Sequence, residues 1–197
     1  MRTRQGLVTA WQRWSLRRRQ YAGGAEVLDA LYDRADPWNL ASEEERVRFE
    51  ATSALILHHC TPVDSLIEIG CGEGLQTQHL ARLASHVTGI DVSANALARA
   101  RTAVLDATLL EGELTALLPS LPRSSYDVAT LCEVLYYMAD PADALARAQG
   151  LARNVIVTLY EPQARRLVPL LQGEGWQEAP PIAAGRKRWK TYVWKRD

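Results

Sequence analysis

A short apolar run followed by three closely spaced glycines constrains this chain more than any other feature. Residues 65–69, Ser-Leu-Ile-Glu-Ile, are typical of a buried strand because aliphatic side chains fill most positions. Gly70, Gly72 and Gly74 then end the strand, and residues 75–84 carry leucines at a spacing that suits one face of a helix. A strand, a glycine turn and a helix in this order let the backbone approach a ligand and direct helix N–H groups toward it.

An acid at the end of the next apolar stretch extends this pattern. Residues 86–90 predict a second strand, and Asp91 follows Gly70 by about 20 residues, the distance at which nucleotide-binding folds place a carboxylate against ribose hydroxyls. Dinucleotide folds carry G-x-G-x-x-G, whereas this chain has E-x-G-x-G-x-G, with Glu68 two residues before the first glycine. The pattern resembles motif I of the class I S-adenosylmethionine (SAM)-dependent methyltransferases. A nicotinamide or flavin enzyme and a non-catalytic protein with the same turn are the alternatives.

The resemblance covers about residues 43–160. It implies that Asp91 receives the ribose hydroxyls and that Glu113 accepts from the adenine amino group, because each stands where the family has an acid. Arg46 and Arg48 precede the sheet, and either is a candidate partner for the methionine carboxylate, although an arginine on a helix surface is the commoner case. The predicted SAM site therefore comprises Glu68, Gly70, Cys71, Gly72, Asp91, Val92, Glu113, Leu114 and Arg48.

Strand and helix patterns alternate along the rest of the chain, which predicts a parallel sheet. Beyond the first two, strands are expected near 107–111, 126–132, 154–159, 176–182 and 188–195, and helices from Ser93, across 141–151 and across 162–172. The last two strands have no helix between them, and Pro180-Pro181 predicts that the first of them is short or irregular. The predicted fold is α/β, a Rossmann-like seven-stranded methyltransferase sheet, mostly parallel with a C-terminal antiparallel strand and helices on both faces.

Length limits the number of domains, and net charge limits the kinds of partner. The 197 residues predict a single domain over 1–197, in which 1–42 form an N-terminal helical lid segment and 43–197 the SAM-binding core. Ser42 and Glu45 match a capping box at the start of a helix that runs to about His58. The 23 basic and 23 acidic side chains balance, which argues against nucleic acid as a partner despite a basic stretch within residues 1–20.

The sequence lacks the patterns of a membrane span, a signal peptide and a metal site. No apolar run is long enough to cross a bilayer, and the basic N-terminus has no apolar signal-peptide core. The three widely spaced cysteines show no metal-binding spacing and are typical of reduced core residues. We therefore expect a cytoplasmic protein with no membrane partner and no metal site.

Two further motifs concern the methyl acceptor. Residues 133–137, Glu-Val-Leu-Tyr-Tyr, follow the fourth strand, and Asp36-Pro37-Trp38 precedes the core. Together they resemble the NodS-type subgroup, which includes N-methyltransferases acting on the amine of a deacetylated chitooligosaccharide. Glu133 ends strand four and is the carboxylate best placed by sequence to accept a proton from an amine, unless it only binds the ammonium or caps the next helix. Tyr136 is the second catalytic candidate, and Trp38 and Tyr137 are candidate residues of the substrate pocket, where aromatic faces suit a cation. The predicted function is methyl transfer to an amine nitrogen of a small polar acceptor, such as an amino sugar or a natural-product amine.

The segment after strand four distinguishes between classes of methyltransferase that act on other methyl acceptors. Enzymes that methylate exocyclic nucleobase nitrogens carry D/N-P-P-Y/F/W there, and Cys132-Glu133-Val134-Leu135 does not match. A metal-dependent catechol-type enzyme needs several acids at one site, and the sequence shows no such set. A small-molecule O-methyltransferase and a non-catalytic SAM-binding protein remain open, as does the oligomeric state.

Overall fold

The computed structural model describes residues 24–122 and 125–196. Its seven strands form one sheet in the order β3-β2-β1-β4-β5-β7-β6. Strands β1 to β5 pair in parallel, and β7 runs antiparallel to both of its neighbours, β5 and β6. The strands are β1 (Ser65–Ile69), β2 (His86–Asp91), β3 (Ala107–Glu111), β4 (Tyr126–Cys132), β5 (Ala152–Tyr160), β6 (Trp176–Ala184) and β7 (Lys187–Lys195). The predicted fold class is confirmed.

Helices connect the strands and flank the sheet. They are α1 (Ala25–Leu31), α2 (Glu43–Cys60), α3 (Leu75–Leu80), α4 (Ala94–Ala103), α5 (Leu114–Leu117), α6 (Pro141–Leu151) and α7 (Glu161–Ala164), with 3-10 turns at Leu118–Ser120, Leu135–Tyr137 and Val168–Leu171. No helix of the described residues has both the length and the apolar character of a membrane span.

Alternate residues of the central strands supply two hydrophobic cores. Leu66 of β1 packs in one cluster with Ile56 and Cys60 of α2, whereas Ile67 packs in another with Leu145 of α6. Successive side chains of a strand point to opposite faces, so helices must cover both faces of a sheet whose central strands are apolar throughout. All five residues of β1 are buried, which places the glycine turn that follows it at the end of the most protected strand.

The helix predicted across 162–172 is wrong. The structure has the four-residue α7 and then the 3-10 turn Val168–Leu171, with Pro162 and Pro169 in the first turn of each. The second proline lacks the N–H that a continuous helix would require, which explains the interruption. The helix predicted over 75–84 is also shorter, because the regular α-helix ends at Leu80.

Two local predictions turned out differently in detail. Ser42 is the N-cap residue of α2 as predicted, but its side chain makes no capping bond. The Glu45 carboxylate, predicted to complete the capping box, instead pairs with Arg48 and Lys187, so tertiary ion pairing replaces the local bond. Strand β6 is irregular at its two prolines, where the register with β7 shifts between Ala179 and Ile182, but its nine residues make it long rather than short.

Candidate functional site

A cavity of about 660 Å³ opens at the carboxyl ends of the central strands. The chain turns from β1 outward to β2 and β3 on one side and reaches β4 and β5 on the other, so β1 and β4 flank the point where strand order reverses. Open α/β sheets bind ligands at such a switch point. The cavity wall includes every residue that the sequence analysis predicted for the site: Trp38, Arg48, Glu68, Gly70, Cys71, Gly72, Asp91, Val92, Glu113, Leu114, Glu133, Tyr136 and Tyr137.

The glycine turn needs glycine for both conformation and space. Gly70 has a φ of +78°, and a Cβ atom there would stand 2.3 Å from a methyl carbon of Val134. Gly72 has a φ of +52°, and its Cβ would stand 2.8 Å from the hydroxyl of Tyr32. The amides of Gly70 and Cys71 both donate to the carbonyl of Ile90, which ties the turn to β2. The turn therefore presents bare backbone to the cavity.

Glu68, the acid before the first glycine, is 3% exposed. Its carboxylate accepts a 2.6 Å hydrogen bond from the Thr77 hydroxyl, which connects β1 to α3 across the glycine turn. Burial raises the pKa of Glu68 to about 8, although the Thr77 hydrogen bond and the charge of Arg48 act in the opposite direction. The carboxyl group therefore holds the turn in place and remains on the cavity wall.

Asp91 ends β2 and faces the same cavity. Its two carboxylate oxygens accept from the backbone amides of Gly72 at 2.8 Å and Ser93 at 2.9 Å. Burial raises the pKa of this carboxyl, and the two amide hydrogen bonds partly offset that rise. These amides hold the carboxylate in one orientation, with further lone pairs available for a ligand hydroxyl.

Glu113 and Leu114 lie farther along the carboxyl edge of the sheet. Glu113 is the N-cap residue of α5, its side chain makes no capping bond, and Leu114 begins the helix. The buried Leu114 adds an apolar surface to the wall beside the exposed Glu113 carboxyl. An apolar side chain next to a hydrogen-bond acceptor suits a ligand whose ring is flat and partly polar.

Glu133 follows β4 with a φ of +60°, one of three non-glycine residues with positive φ in the described part of the chain. Its amide donates to the Thr158 carbonyl, and its carboxylate accepts from the Tyr136 hydroxyl at 3.4 Å. That hydroxyl in turn accepts from the Tyr160 amide. Burial raises the pKa of Glu133 to about 8, and Arg48 is the strongest influence in the opposite direction. Backbone strain beside a buried, hydrogen-bonded acid is a feature that functional sites share.

Aromatic rings form one side of the cavity. The rings of Trp38 and Tyr137 lie 5.3 Å apart between centroids, and those of Tyr136 and Tyr137 lie 5.9 Å apart at nearly a right angle. Tyr32 contacts Trp38 edge-on at 6.5 Å. Residues that lie about a hundred positions apart in the sequence therefore build a continuous aromatic wall beside Glu133.

Arg48 enters the cavity from α2 already engaged in polar contacts. Its Nε donates to Glu45 and its Nη1 donates to Gln76, both at 2.7 Å. The other Glu45 oxygen accepts from Lys187 at 2.8 Å. The resulting buried network, Lys187–Glu45–Arg48–Gln76, connects the final hairpin to α3 across the cavity wall.

The segment from α1 to Asn39 closes over the glycine turn. The Asp29 carboxylate accepts from the Ser93 hydroxyl at 2.6 Å, which attaches α1 to α4. The buried Glu73 carboxylate accepts twice from the Asp36 amide and pairs with Arg99, and Arg99 also donates to the Tyr32 carbonyl at 2.7 Å. Three of these contacts join residues of the segment to the core, so it has a defined position against the side of the cavity that the glycine turn forms.

Sequence reasoning missed several residues of the wall, among them Tyr32, Glu45, Gln76, Tyr160 and Lys187. None belongs to a local motif with a ligand-binding meaning. Glu45 and Arg48 are three positions apart on one helix face, a spacing at which an ion pair forms, but nothing local indicates that the pair is buried. Tyr160 and Lys187 enter the site only because β5 and β7 pair next to β4.

Comparison with known proteins agrees with this geometry. Residues 67–154 match the family model described as a methyltransferase domain. Nodulation protein S of Azorhizobium caulinodans is 30% identical over 139 residues, which cover 70% of this chain and 64% of that protein. A ubiquinone biosynthesis O-methyltransferase of Aeromonas salmonicida is 36% identical over 103 residues, which cover 51% of this chain and 40% of that protein. The chain thus spans less than two thirds of the length of these relatives.

Among solved structures, N-methyltransferase NodS from Bradyrhizobium japonicum WM9, in complex with S-adenosylhomocysteine, is similar with a TM-score of 0.69. The two chains are 22% identical, and the match covers 87% of this chain and 97% of the other. At that identity the likeness concerns the fold. The residues at the switch point fit SAM, because the backbone of the glycine turn lines the cavity and the Asp91 carboxylate stands at the end of β2, where nucleotide-binding folds place an acceptor for ribose hydroxyls. The matched domain, the fold and the site indicate SAM as the cofactor, and the chain is similar to class I SAM-dependent methyltransferases, NodS-like proteins among them.

Proposed function

We propose that this chain transfers a methyl group from SAM to an amine nitrogen of a small polar acceptor, such as an amino sugar or a natural-product amine. The observation that carries the proposal is Glu133, a partly buried carboxyl in a strained backbone conformation beside the aromatic wall, in the same cavity as the glycine turn. The similarity of the fold to NodS from B. japonicum, an N-methyltransferase, also supports an amine acceptor.

In this proposal the cofactor lies along the carboxyl edge of the sheet. The methionine part lies against the Gly70–Gly72 turn, the ribose contacts Asp91 and Val92, and the adenine lies between Glu113 and Leu114. The proposal rests on the order in which the turn, β2 and α5 meet the cavity. In this proposal Glu68 lies beside the methionine part, and Arg48 is the candidate partner of its carboxylate.

SAM supplies a methyl group that is already activated on a sulfonium. The protein must therefore hold the acceptor atom in line with that methyl group, and such positioning can supply several kcal/mol of barrier reduction. An alkyl amine with a pKa of about 10.4 is mostly protonated at neutral pH, so a site that binds it must also accept a proton. Glu133 is placed to do so, and its pKa of about 8 brings it closer to that of the amine.

Tyr136 positions the proton acceptor. Its hydroxyl contacts the Glu133 carboxylate and is held by the Tyr160 amide of β5. The neighbouring rings of Trp38 and Tyr137 complete the substrate pocket in this proposal. Aromatic faces stabilise a cation by about 0.5–2 kcal/mol each, which suits an ammonium that enters and a methylated amine that leaves.

A small-molecule O-methyltransferase is the second candidate, and the similarity to ubiquinone biosynthesis O-methyltransferases favours it. A nearby ionised carboxylate raises the pKa of a hydroxyl group and therefore opposes the formation of the oxyanion. Glu133 and the aromatic wall thus suit an amine better. A non-catalytic SAM-binding protein would share the cofactor site but would methylate neither class of acceptor.

The test is a methyl-transfer assay with matched pairs of acceptors that differ only by an amine or a hydroxyl. We expect the amines to be methylated and the rate to rise with pH, because both the amine and Glu133 lose their protons. Glu133→Gln should lower kcat far more than it lowers cofactor affinity, since an amide cannot accept the proton. Glu161→Gln is the matched control, because that exposed glutamate also follows a central strand but does not line the cavity.

Methylation of the hydroxyl compounds, with the matched amines inert, would replace the proposal by the O-methyltransferase candidate. Binding of S-adenosylhomocysteine without turnover of either class would favour the non-catalytic alternative.

A further inference from the structure

Trp38 brings its ring to the aromatic wall from a stretch of turns. Its partner Tyr137 and the neighbouring Tyr136 lie in a 3-10 turn that closely follows β4, so the sheet sets their position. Residues 32–42, in contrast, form turns and bends between α1 and α2. The position of the indole therefore depends on contacts that fix this stretch of backbone.

The backbone on both sides of Trp38 is strained. Asp36 has a φ of +47° and Asn39 a φ of +58°. Within residues 24–122 and 125–196, Glu133 is the one other non-glycine residue with a positive φ, and it lines the same cavity as Trp38. Asp and Asn tolerate this conformation better than most residues, but it persists only where the surrounding structure fixes it.

Asp36 supplies the contacts that fix the turn. Its backbone carbonyl accepts from the Asn39 amide at 3.2 Å. One oxygen of its carboxylate accepts from the Leu40 amide at 2.5 Å, and the other accepts from the Ala41 amide at 3.1 Å. The amide of Asp36 itself donates to the Glu73 carboxylate in the glycine turn at 2.9 Å. One residue therefore accepts from three successive amides and also ties the turn to the core.

The turn that Asp36 holds carries two residues of the cavity wall, Trp38 and Leu40. Asp36 itself lies outside that wall, so its effect on a ligand must act through the residues that it places. A carboxylate that accepts from backbone amides makes stronger hydrogen bonds than a neutral acceptor does. Loss of this carboxylate would release the Leu40 and Ala41 amides together and leave the indole with its ring contacts.

We infer that Asp36 is a positioning residue for Trp38, because its carboxylate fixes the turn that holds the indole in the aromatic wall. The inference deepens the proposed function and rests on it for the role of that wall in binding the acceptor. If the indole is in place in only a fraction of the molecules, the apparent affinity for an acceptor falls by that fraction. The glycine turn and Glu133 keep their own contacts.

The test compares Asp36→Gly and Asp36→Asn with the wild type. Glycine adopts a positive φ without strain and keeps the amide that donates to Glu73, so Asp36→Gly removes only the side-chain acceptor. Asparagine keeps one side-chain oxygen and tolerates the conformation. Asp33→Asn is the control, since it removes the same charge from an exposed aspartate of the same segment that lies outside the cavity wall.

The position of the indole is read by ¹⁹F NMR of protein labelled with 5-fluorotryptophan. The Trp38 resonance is assigned with Trp38→Phe, and its shift between H2O and D2O reports exposure of the ring to solvent. Calorimetry measures the affinity for S-adenosylhomocysteine. Methyl transfer to D-glucosamine, an amine of the proposed acceptor class, supplies kcat and KM.

We expect the solvent-induced shift of Trp38 in Asp36→Gly to approach that of free 5-fluorotryptophan. Asp36→Asn should show a smaller change in the same direction, and Asp33→Asn should show none. The KM for D-glucosamine should rise about tenfold in Asp36→Gly, as expected from the loss of hydrogen bonds to a charged group. Neither kcat nor the affinity for S-adenosylhomocysteine should change, because the substitution weakens the binding of the acceptor alone.

An unchanged Trp38 resonance in Asp36→Gly would overturn the inference, since ring packing alone would then hold the indole. A fall in kcat and in cofactor affinity with an unchanged KM would also overturn it, because that pattern is expected of a segment that supports the whole site. If Asp36→Gly does not fold, Asp36→Asn decides the question, and a resonance identical to the wild type would contradict the inference. The fluorine spectrum needs no turnover, so a failure of the proposed function and a failure of this inference give separate results.

Discussion

At the scale of single residues, the site depends on carboxyl groups that burial makes costly to ionise. Glu68 and Glu133 both have their pKa raised to about 8, yet their partners differ. Glu68 is held by the Thr77 hydroxyl next to the glycine turn, whereas Glu133 stands in a strained backbone conformation beside the Tyr136 hydroxyl. The same residue type therefore supports a turn in one place and, in the proposed function, accepts a proton in the other.

Asp91 provides a prediction at this scale. Asp91→Ala should weaken the binding of S-adenosylhomocysteine by about 1.5–3 kcal/mol, the value of hydrogen bonds to a charged acceptor. Calorimetry measures the effect. It is done well below the unfolding temperature, because the variant also leaves the Gly72 and Ser93 amides without their acceptor, which lowers stability. Asp106→Ala, a change of an exposed aspartate near the start of β3, should bind as the wild type does. Equal affinities for the two variants would refute the assignment of Asp91 to the ribose.

At the scale of elements, the segment 24–42 is joined to the core by few but specific contacts. Asp29 attaches α1 to the start of α4, and Glu73 receives the Asp36 amide while it pairs with Arg99. Trp38 reaches the aromatic wall from this segment. The prediction that residues 1–42 form a lid over the acceptor pocket stays a prediction, and residues 1–23 lie outside the described part of the chain.

Glu73→Ala tests whether these contacts hold the segment. It removes the acceptor of the Asp36 amide and the partner of Arg99, so amide exchange within 24–42 should become faster while β1, β4 and β5 keep their protection. Hydrogen–deuterium exchange read by mass spectrometry separates these regions. Glu50→Ala, which removes an exposed partner of Arg46, should leave the exchange of 24–42 unchanged. Unaltered exchange in Glu73→Ala would show that other contacts position the segment.

At the scale of the whole molecule, one ligand site draws on nearly every part of the chain. The segment before α2, the turns after β1, β2 and β4, and the start of β7 all line one cavity. A ligand bound there would contact several of these elements at once. Its binding should therefore stabilise the fold as a unit.

S-Adenosylhomocysteine at about 100 times its Kd should add about 2.7 kcal/mol to the free energy of unfolding, if it binds only the folded state. For a chain of this length, Tm should then rise by about 5–11 °C. Differential scanning calorimetry checks this value, and adenine at the same concentration serves as the ligand control. A Tm that does not respond to saturating S-adenosylhomocysteine would contradict a cofactor site in this cavity.

The sequence by itself determined the order of the seven strands and the place of the glycine turn. Those features are local: a run of aliphatic residues favours a strand, and Gly70 and Gly72 mark a turn that a side chain would block. Asp91 was predictable for the same reason, because its distance from the turn is set by one helix and one strand. The strand pattern also predicted the antiparallel final strand.

Only the tertiary structure decided which partners the buried polar groups have. Glu45 matched a capping box, yet its carboxylate lies between Arg48 and Lys187, a residue more than a hundred positions away. Likewise, Tyr160 reaches Tyr136 because β5 pairs beside β4. The spacing of residues along the sequence predicts contacts only between residues that are close in sequence. The strong ion pairs of a buried site depend instead on which strands become neighbours and on how far water is excluded.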